Sequence, residues 1–148
     1  MTKPFSLQTV LELMQMRADD ATQLLARLVA NERNAKNKLE MLQQYRGEYA
    51  TRFQAAAQNG LAQREFRNYQ EFLTRLDEAI DAQGLAVAQQ VQRTASGQTH
   101  WQQQRTKLKA FDTLSERHYA SENAQELKRE QKTQDEFAAR MKDDKTAG

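Results

Sequence analysis

Any chemistry this chain performs must come from two histidines, scattered carboxylates or its aromatic side chains. His100 and His118 stand eighteen residues apart, and neither belongs to an HExxH or comparable ligand spacing. Both read as solvated or seam-flanking side chains, not as metal ligands. Without cysteine there is no disulfide frame, no thiolate metal site and no thiol nucleophile. No GxxxxGK phosphate loop and no GxGxxG occurs. The carboxylates of Asp19 and Asp20, or of Asp77, Glu78 and Asp81, have basic side chains three or four residues away, the spacing of solvated ion pairs on a helix. Catalysis also needs a concave, water-excluding pocket, which a pair of helices has no interior deep enough to build. The sequence therefore assigns no catalytic residue, no metal and no cofactor, and it reads as a non-enzyme.

Recognition chemistry is better represented. The stretch RNYQEFLTRLDEAI, Arg67 to Ile80, carries Tyr69, Phe72, Leu73, Leu76, Ala79 and Ile80, which in a helix make a stripe too wide for one partner helix to cover. Between Asp81 and Asp112 no acidic residue occurs, while Arg93, Arg105, Lys107 and Lys109 accompany Trp101 and several glutamines. A basic, glutamine-rich helix with an aromatic suggests nucleic acid. Four charges over thirty residues are few, however, and an antiparallel partner helix would set Glu12, Asp19 and Asp20 beside them, so neutralisation within the chain is the preferred reading. The same segment lacks a continuous apolar face for a membrane surface.

The elements that position these groups are written in the composition and the period. The chain has 148 residues, 39% hydrophobic and 28% charged, with one proline and five glycines, which favours helix almost throughout and leaves little for a thick core. The start, MTKPFSLQTVLELMQMRADD, lacks the apolar run of a signal peptide, and nowhere do about 18 apolar residues occur in a row, so no membrane insertion and a cytosolic address are expected. Counting by sevens from Leu7 gives Leu7, Met14, Ala21, Leu28, Ala35, Leu42, Tyr49 and Ala56, apolar at every step. The companion series Leu11, Ala18, Leu25, Glu32, Leu39, Arg46 and Phe53 is broken twice. A 4,3 repeat of this length specifies a left-handed coiled-coil seam. Ser6 is placed to cap, Phe5 to staple onto Val10, and Gly60 to take the left-handed position that ends the helix, with Leu61 folding back on Ala56.

The fold class that follows is all-α, a long two-helix antiparallel coiled-coil hairpin. One domain is expected over 1–148, with helix 1 at about 6–58, a turn at about 59–61, helix 2 at about 62–140 and a loose tail at 141–148. The second seam runs Leu73, Ile80, Val87, Thr94, Trp101 and Leu108 with Tyr69, Leu76 and Phe111, but its companion positions between Gln83 and Gln104 are Gln, Gln, Gly and Gln. Pivoting on the turn sets Leu42 near Asp77, Tyr49 near Gln70 and Glu12 near Lys107, and leaves everything from Thr113 onward without a partner. Gly97, among Thr94, Ser96 and Thr99, is poor helix interior. A break there would fold the chain into a three-helix bundle, although the heptad spacing holds phase across it.

KLEMLQQYRGEY at 38–49, NYQEFLTRLDEAI at 68–80, LKAFDTLSER at 108–117 and DEFAAR at 135–140 resemble, in order and spacing, the FliJ family of the bacterial flagellar type III export apparatus. The NYQ-x-F block and the tyrosines Tyr45 and Tyr49 are the most specific parts. The resemblance implies a helical hairpin like the coiled-coil stalk of the rotary ATPase gamma subunit. Such a stalk sits in the central hole of the hexameric export ATPase FliI, promotes its assembly, contacts the export gate protein FlhA and escorts export chaperones. It implies a cytoplasmic protein at the periphery of the inner-membrane export apparatus, with roles in flagellum biogenesis and motility.

The matching positions for the gate-binding patch are Lys38, Leu42, Tyr45, Tyr49, Phe72, Leu76, Ala79 and Gln83, an apolar shelf on one flank of the hairpin; Lys38 and Gln83 depart from the family pattern. By the gamma-subunit analogy, Arg17, Arg27, Arg33, Glu116 and Arg117 are candidate contacts to the ATPase ring. The other readings are that the aromatics widen the seam or meet a second copy, and that the chain is a generic coiled-coil scaffold or chaperone-like hairpin, an injectisome stalk or a nucleic-acid binder.

Overall fold

A computed structural model of the chain describes residues 4–147. Two helices account for nearly all of them, α1 over Gln8–Gln58 and α2 over Gln63–Ala147, with no strand among the described residues. They pack as the expected antiparallel hairpin. The turn is made as its residues dictate: Gly60 takes φ 85°, Gly60 N donates to Ala57 O at 3.3 Å and Asn59 N to Ala55 O at 3.4 Å. Only glycine enters that left-handed region at no steric cost, and the first of these bonds is one of the two that close a Schellman cap. Leu61 and Ala56 line one shallow groove beside it.

Contacts divide the chain into two units, residues 20–101 and residues 1–19 with 102–148. In the first, antiparallel pairing is plain from its hydrogen bonds. Arg46 Nε donates to Asp77 Oδ1 at 2.9 Å, Gln83 Nε2 to Ala35 O at 3.0 Å, Thr94 Oγ1 to Leu28 O at 3.3 Å and Trp101 Nε1 to Thr22 Oγ1 at 2.9 Å. Gln83 with Ala35 falls on the expected register, and Asp77 with Arg46 lies within a turn of it. Ala21 and Leu76 are the buried apolar side chains here. The other seam positions are half-buried, and no large side chain among the described residues is fully enclosed. Two helices bury one stripe each, so the core is a line of contacts without depth.

Gly97 does not break α2. It is buried, and a Cβ built on it would lie 2.5 Å from Leu28 Cδ1. Its missing side chain is what lets α2 approach Leu28, so the residue that looked like a helix breaker is a packing residue, and there is no three-helix bundle. Gly47 and Gly84 differ: a Cβ on either meets nothing within 4 Å.

In the second unit, Phe5, Leu11, Met14 and Ala18 are buried together with Gln104 and Ser115. The helix begins two residues later than expected, with Leu11 N bonded to Leu7 O at 2.9 Å and a preceding turn closed by Gln8 N to Phe5 O at 3.0 Å. Phe5 packs its ring 5.4 Å from His118, so the segment before α1 covers α2 beyond Thr113. Every side chain from 127 to 145 is exposed. The tail expected to be loose from 141 is helical to Ala147. No glycine or proline interrupts 141–147, and Lys142 and Asp143 each take part in a polar interaction, so nothing local stops the helix.

Candidate functional site

Three aromatic residues on α1 recur every four positions, Tyr45, Tyr49 and Phe53, and three on α2 recur every three, Phe66, Tyr69 and Phe72. Both spacings keep side chains on one helix face. Because the helices run in opposite directions, the two rows interleave. Phe53 lies 5.2 Å from Phe66 and 5.4 Å from Tyr69; Tyr49 lies 5.3 Å from Tyr69 and 4.3 Å from Phe72; Tyr45 meets Phe72 edge-on at 6.2 Å. These separations suit tilted and edge-to-face pairs, each worth about 0.5–1.5 kcal/mol beyond the area it buries. The cluster closes the turn end of the 20–101 unit. It is not sealed, since Tyr45 at its inner end is 44% exposed and Phe66 at its outer end 40%.

The eight residues of the expected shelf all lie in this unit, in different environments. Tyr45, Tyr49 and Phe72 are in mutual ring contact. Leu42 and Ala79 are half-buried and Lys38 is exposed. Leu76 is buried, so it serves the seam and offers little outward surface. Gln83 donates across the seam to the Ala35 carbonyl. The sequence reading left Phe53 in the seam and did not use Phe66, and the matched spacings of four and three are the signal that joins them to the cluster.

Beside the rings, Arg46 grips Asp77 with Nε at 2.9 Å and a second nitrogen at 3.5 Å. The hydrogen bond that Arg46 donates to the Asp77 carboxylate, and then the carboxylate's charge, hold the guanidinium pKa above its ordinary value. Of the candidate ring contacts, Arg27 and Arg33 belong to the 20–101 unit and Arg17, Glu116 and Arg117 to the other. All five are exposed. Among the described residues no group of three or more His, Asp or Glu side chains is placed to hold a metal, and no helix is long and apolar enough to cross a membrane.

The arrangement can bind, through a partly open aromatic cluster framed by an ion pair. Comparison with known proteins gives it a family. The model of the flagellar FliJ protein family matches residues 2–145. Flagellar FliJ protein of Salmonella typhi is 32% identical over 135 residues, covering 91% of this chain and 92% of its own. Flagellar FliJ protein of Escherichia coli K12 is 29% identical over the same shares of the two chains. With a family match spanning both helices and the turn between them, the chain belongs to the flagellar FliJ family.

Proposed function

We propose that this protein is a non-catalytic stalk and adaptor of flagellar type III protein export, which binds the central hole of the hexameric export ATPase FliI, promotes its assembly and couples it to the gate protein FlhA and to export chaperones. The observation that carries this reading is the family match over 2–145, since it takes in α1, the turn and nearly all of α2. Both relatives are named as flagellar proteins, which favours the flagellum over an injectisome. A non-catalytic role agrees with a thin seam that has no large side chain fully enclosed among the described residues.

The aromatic cluster is the docking surface for the gate protein in this reading. Rings left partly open at 44% and 40% exposure are the kind of anchor that binding interfaces concentrate on. At the ATPase the action is mechanical and allosteric. A two-helix element inserted in a ring makes unequal contacts with its subunits, stabilises the assembled ring by mass action and biases its nucleotide states. Such a protein acts in the bacterial cytoplasm, at the periphery of the inner-membrane export apparatus.

Two measurements test this. Adding the protein to its cognate export ATPase raises ring formation and hydrolysis; no change in either leaves a generic helical scaffold as the better description. Tyr45→Ala weakens gate-protein binding about tenfold with helicity kept, and Phe72→Ala weakens it as much while also costing about 1–2 kcal/mol of stability from its ring contacts. Unchanged gate binding by both variants would show that the rings only widen the seam.

A further inference from the structure

A second surface lies on the same flank, away from the rings. On α1, Leu24, Leu28, Lys38, Leu42 and Tyr45 fall on one 4,3 stripe, and on α2, Phe72, Ala79, Ala86, Arg93 and His100 recur every seven residues. Each set is one line along its helix. At the far end of these lines from the aromatics, Leu24, Leu28, Arg93, Ser96, Gly97 and His100 line a shallow trough. Gly97 makes it: the bare backbone sits against Leu28, and Leu24 is left 40% exposed above it.

The trough is set in the most basic part of the protein. Residues 21–39 and 82–101 hold five basic side chains, Arg27, Arg33, Lys36, Lys38 and Arg93, against one acidic, Glu32. That is a formal +4, where the whole chain carries +2. Glu32 is occupied by Lys36 at 3.4 Å. Arg27, Lys38 and Arg93 are exposed and make no ion pair among the described residues. The expected neutralisation by the partner helix therefore does not reach Arg93.

We propose that this trough docks an acidic amphipathic helix of a partner protein, an apolar side chain entering between Leu24 and Gly97 while carboxylates meet Arg27 and Arg93. Charge complementarity selects the acidic partner. The apolar centre selects protein over nucleic acid. A phosphate backbone laid here would cover the 40% exposed Leu24, with no return for the apolar surface. The surface is independent of the gate reading: with Arg27 and Arg93 as its charged contacts, it shares no residue with the gate-binding patch or the aromatic cluster.

The test uses the full chain, labelled with nitrogen-15, and three probes. Two are synthetic helical peptides with the same leucine spacing, one flanked by glutamates and the other by lysines; the third is a short DNA duplex. The glutamate peptide shifts the amides around Leu24, Arg93, Gly97 and His100 and the fluorescence of Trp101, the single tryptophan. In Arg27→Glu with Arg93→Glu, helicity stays, binding of the glutamate peptide falls at least tenfold and the lysine peptide gains. Absence of these shifts, equal binding of the two peptides, tighter binding of the duplex, or self-association through the trough would each overturn the proposal.

Discussion

Replacing Gly97 with alanine should blunt or reverse the usual effect of such a change in a helix. Alanine in place of an interior glycine stabilises by about 1 kcal/mol, through backbone entropy and propensity. At Gly97 the new Cβ would start 2.5 Å from Leu28 Cδ1, and Leu28 Cγ and Leu25 Cδ1 both lie 3.9 Å away. Carbon atoms settle at about 3.5–4.0 Å, so Leu28 must swing its terminal methyl aside or the helices must part. Overpacking of this kind costs about 1–3 kcal/mol, and an off-rotamer leucine at least about 0.5. The struck atom is the far end of a flexible side chain, so the net effect runs from a gain of about 0.5 kcal/mol, if only the leucine rotamer gives, to a loss of about 2 kcal/mol, if the helices part. Gly84 is the control in the same helix, because its Cβ meets nothing within 4 Å. Gly84→Ala should gain close to the full propensity difference, so the two variants should separate by about 0.5–3 kcal/mol in urea denaturation followed by circular dichroism at the helix band. Combining Gly97→Ala with Leu28→Ala should show coupling, since the second change removes the group the first one strikes. Equal stabilisation by Gly97→Ala and Gly84→Ala would refute the close approach of α2 to Leu28.

Gln104 is buried and its Oε1 has no hydrogen-bond partner among the described residues, so Gln104→Leu should raise stability by about 1–3 kcal/mol in thermal melts; a lower melting temperature would show that the amide is satisfied. The Arg46 pKa is raised, so the stability its pair with Asp77 contributes is fully present below the unfolded arginine value and is lost only as pH rises through the higher folded one. Asp77→Asn should therefore lower the melting point by the same small amount at neutral and mildly alkaline pH, and by less in high salt. A difference between mutant and parent that changed across that range would point to another titrating group.

The readable parts of this fold are those where one period governs many residues. The seam of α1 alternates by four and three from Leu7 to Ala56, and all its members except Leu7 are buried or half-buried. Gly60 was legible because a left-handed cap excludes most other residues. The register was legible to within about a turn: Gln83 meets Ala35 and Phe53 meets Phe66 as the pivot on the turn requires, and Asp77 meets Arg46 a few residues off, because a pivot on loop residues leaves the exact loop path open. Gly97 was legible as a cost and not as a purpose: propensity counts what glycine loses, while the gain belongs to Leu28, sixty-nine residues away in sequence. The aromatic cluster was half legible. Tyr45, Tyr49 and Phe72 are there, but the extension to Phe53 and Phe66 needs the two helices set against each other before the matched spacings acquire meaning. Phe5 escaped as well, since its partner His118 lies across the hairpin rather than one turn along α1.

The uneven seam of α2 has a reason that the uniform seam of α1 makes clear. With an apolar residue at each seventh position, α1 alone would accept α2 equally well after a slip of one heptad. Within residues 20–101 such a slip would move Gly97 from Leu28 to Ala21 or Ala35, small against small, leaving a void and stranding Leu28 against a larger group. It would also pull Asp77 from Arg46 and separate the two aromatic rows. Large-to-small pairing and polar groups across a seam are how coiled coils trade stability for a single register. Gln83, Thr94 and Gly97 make that trade here, at positions where leucine would bind more strongly and specify less. A fixed register matters because every surface on this flank is assembled from both helices. The rings of Tyr45 and Phe72, like Leu24 with Gly97, make one surface only when α1 and α2 are correctly set against each other.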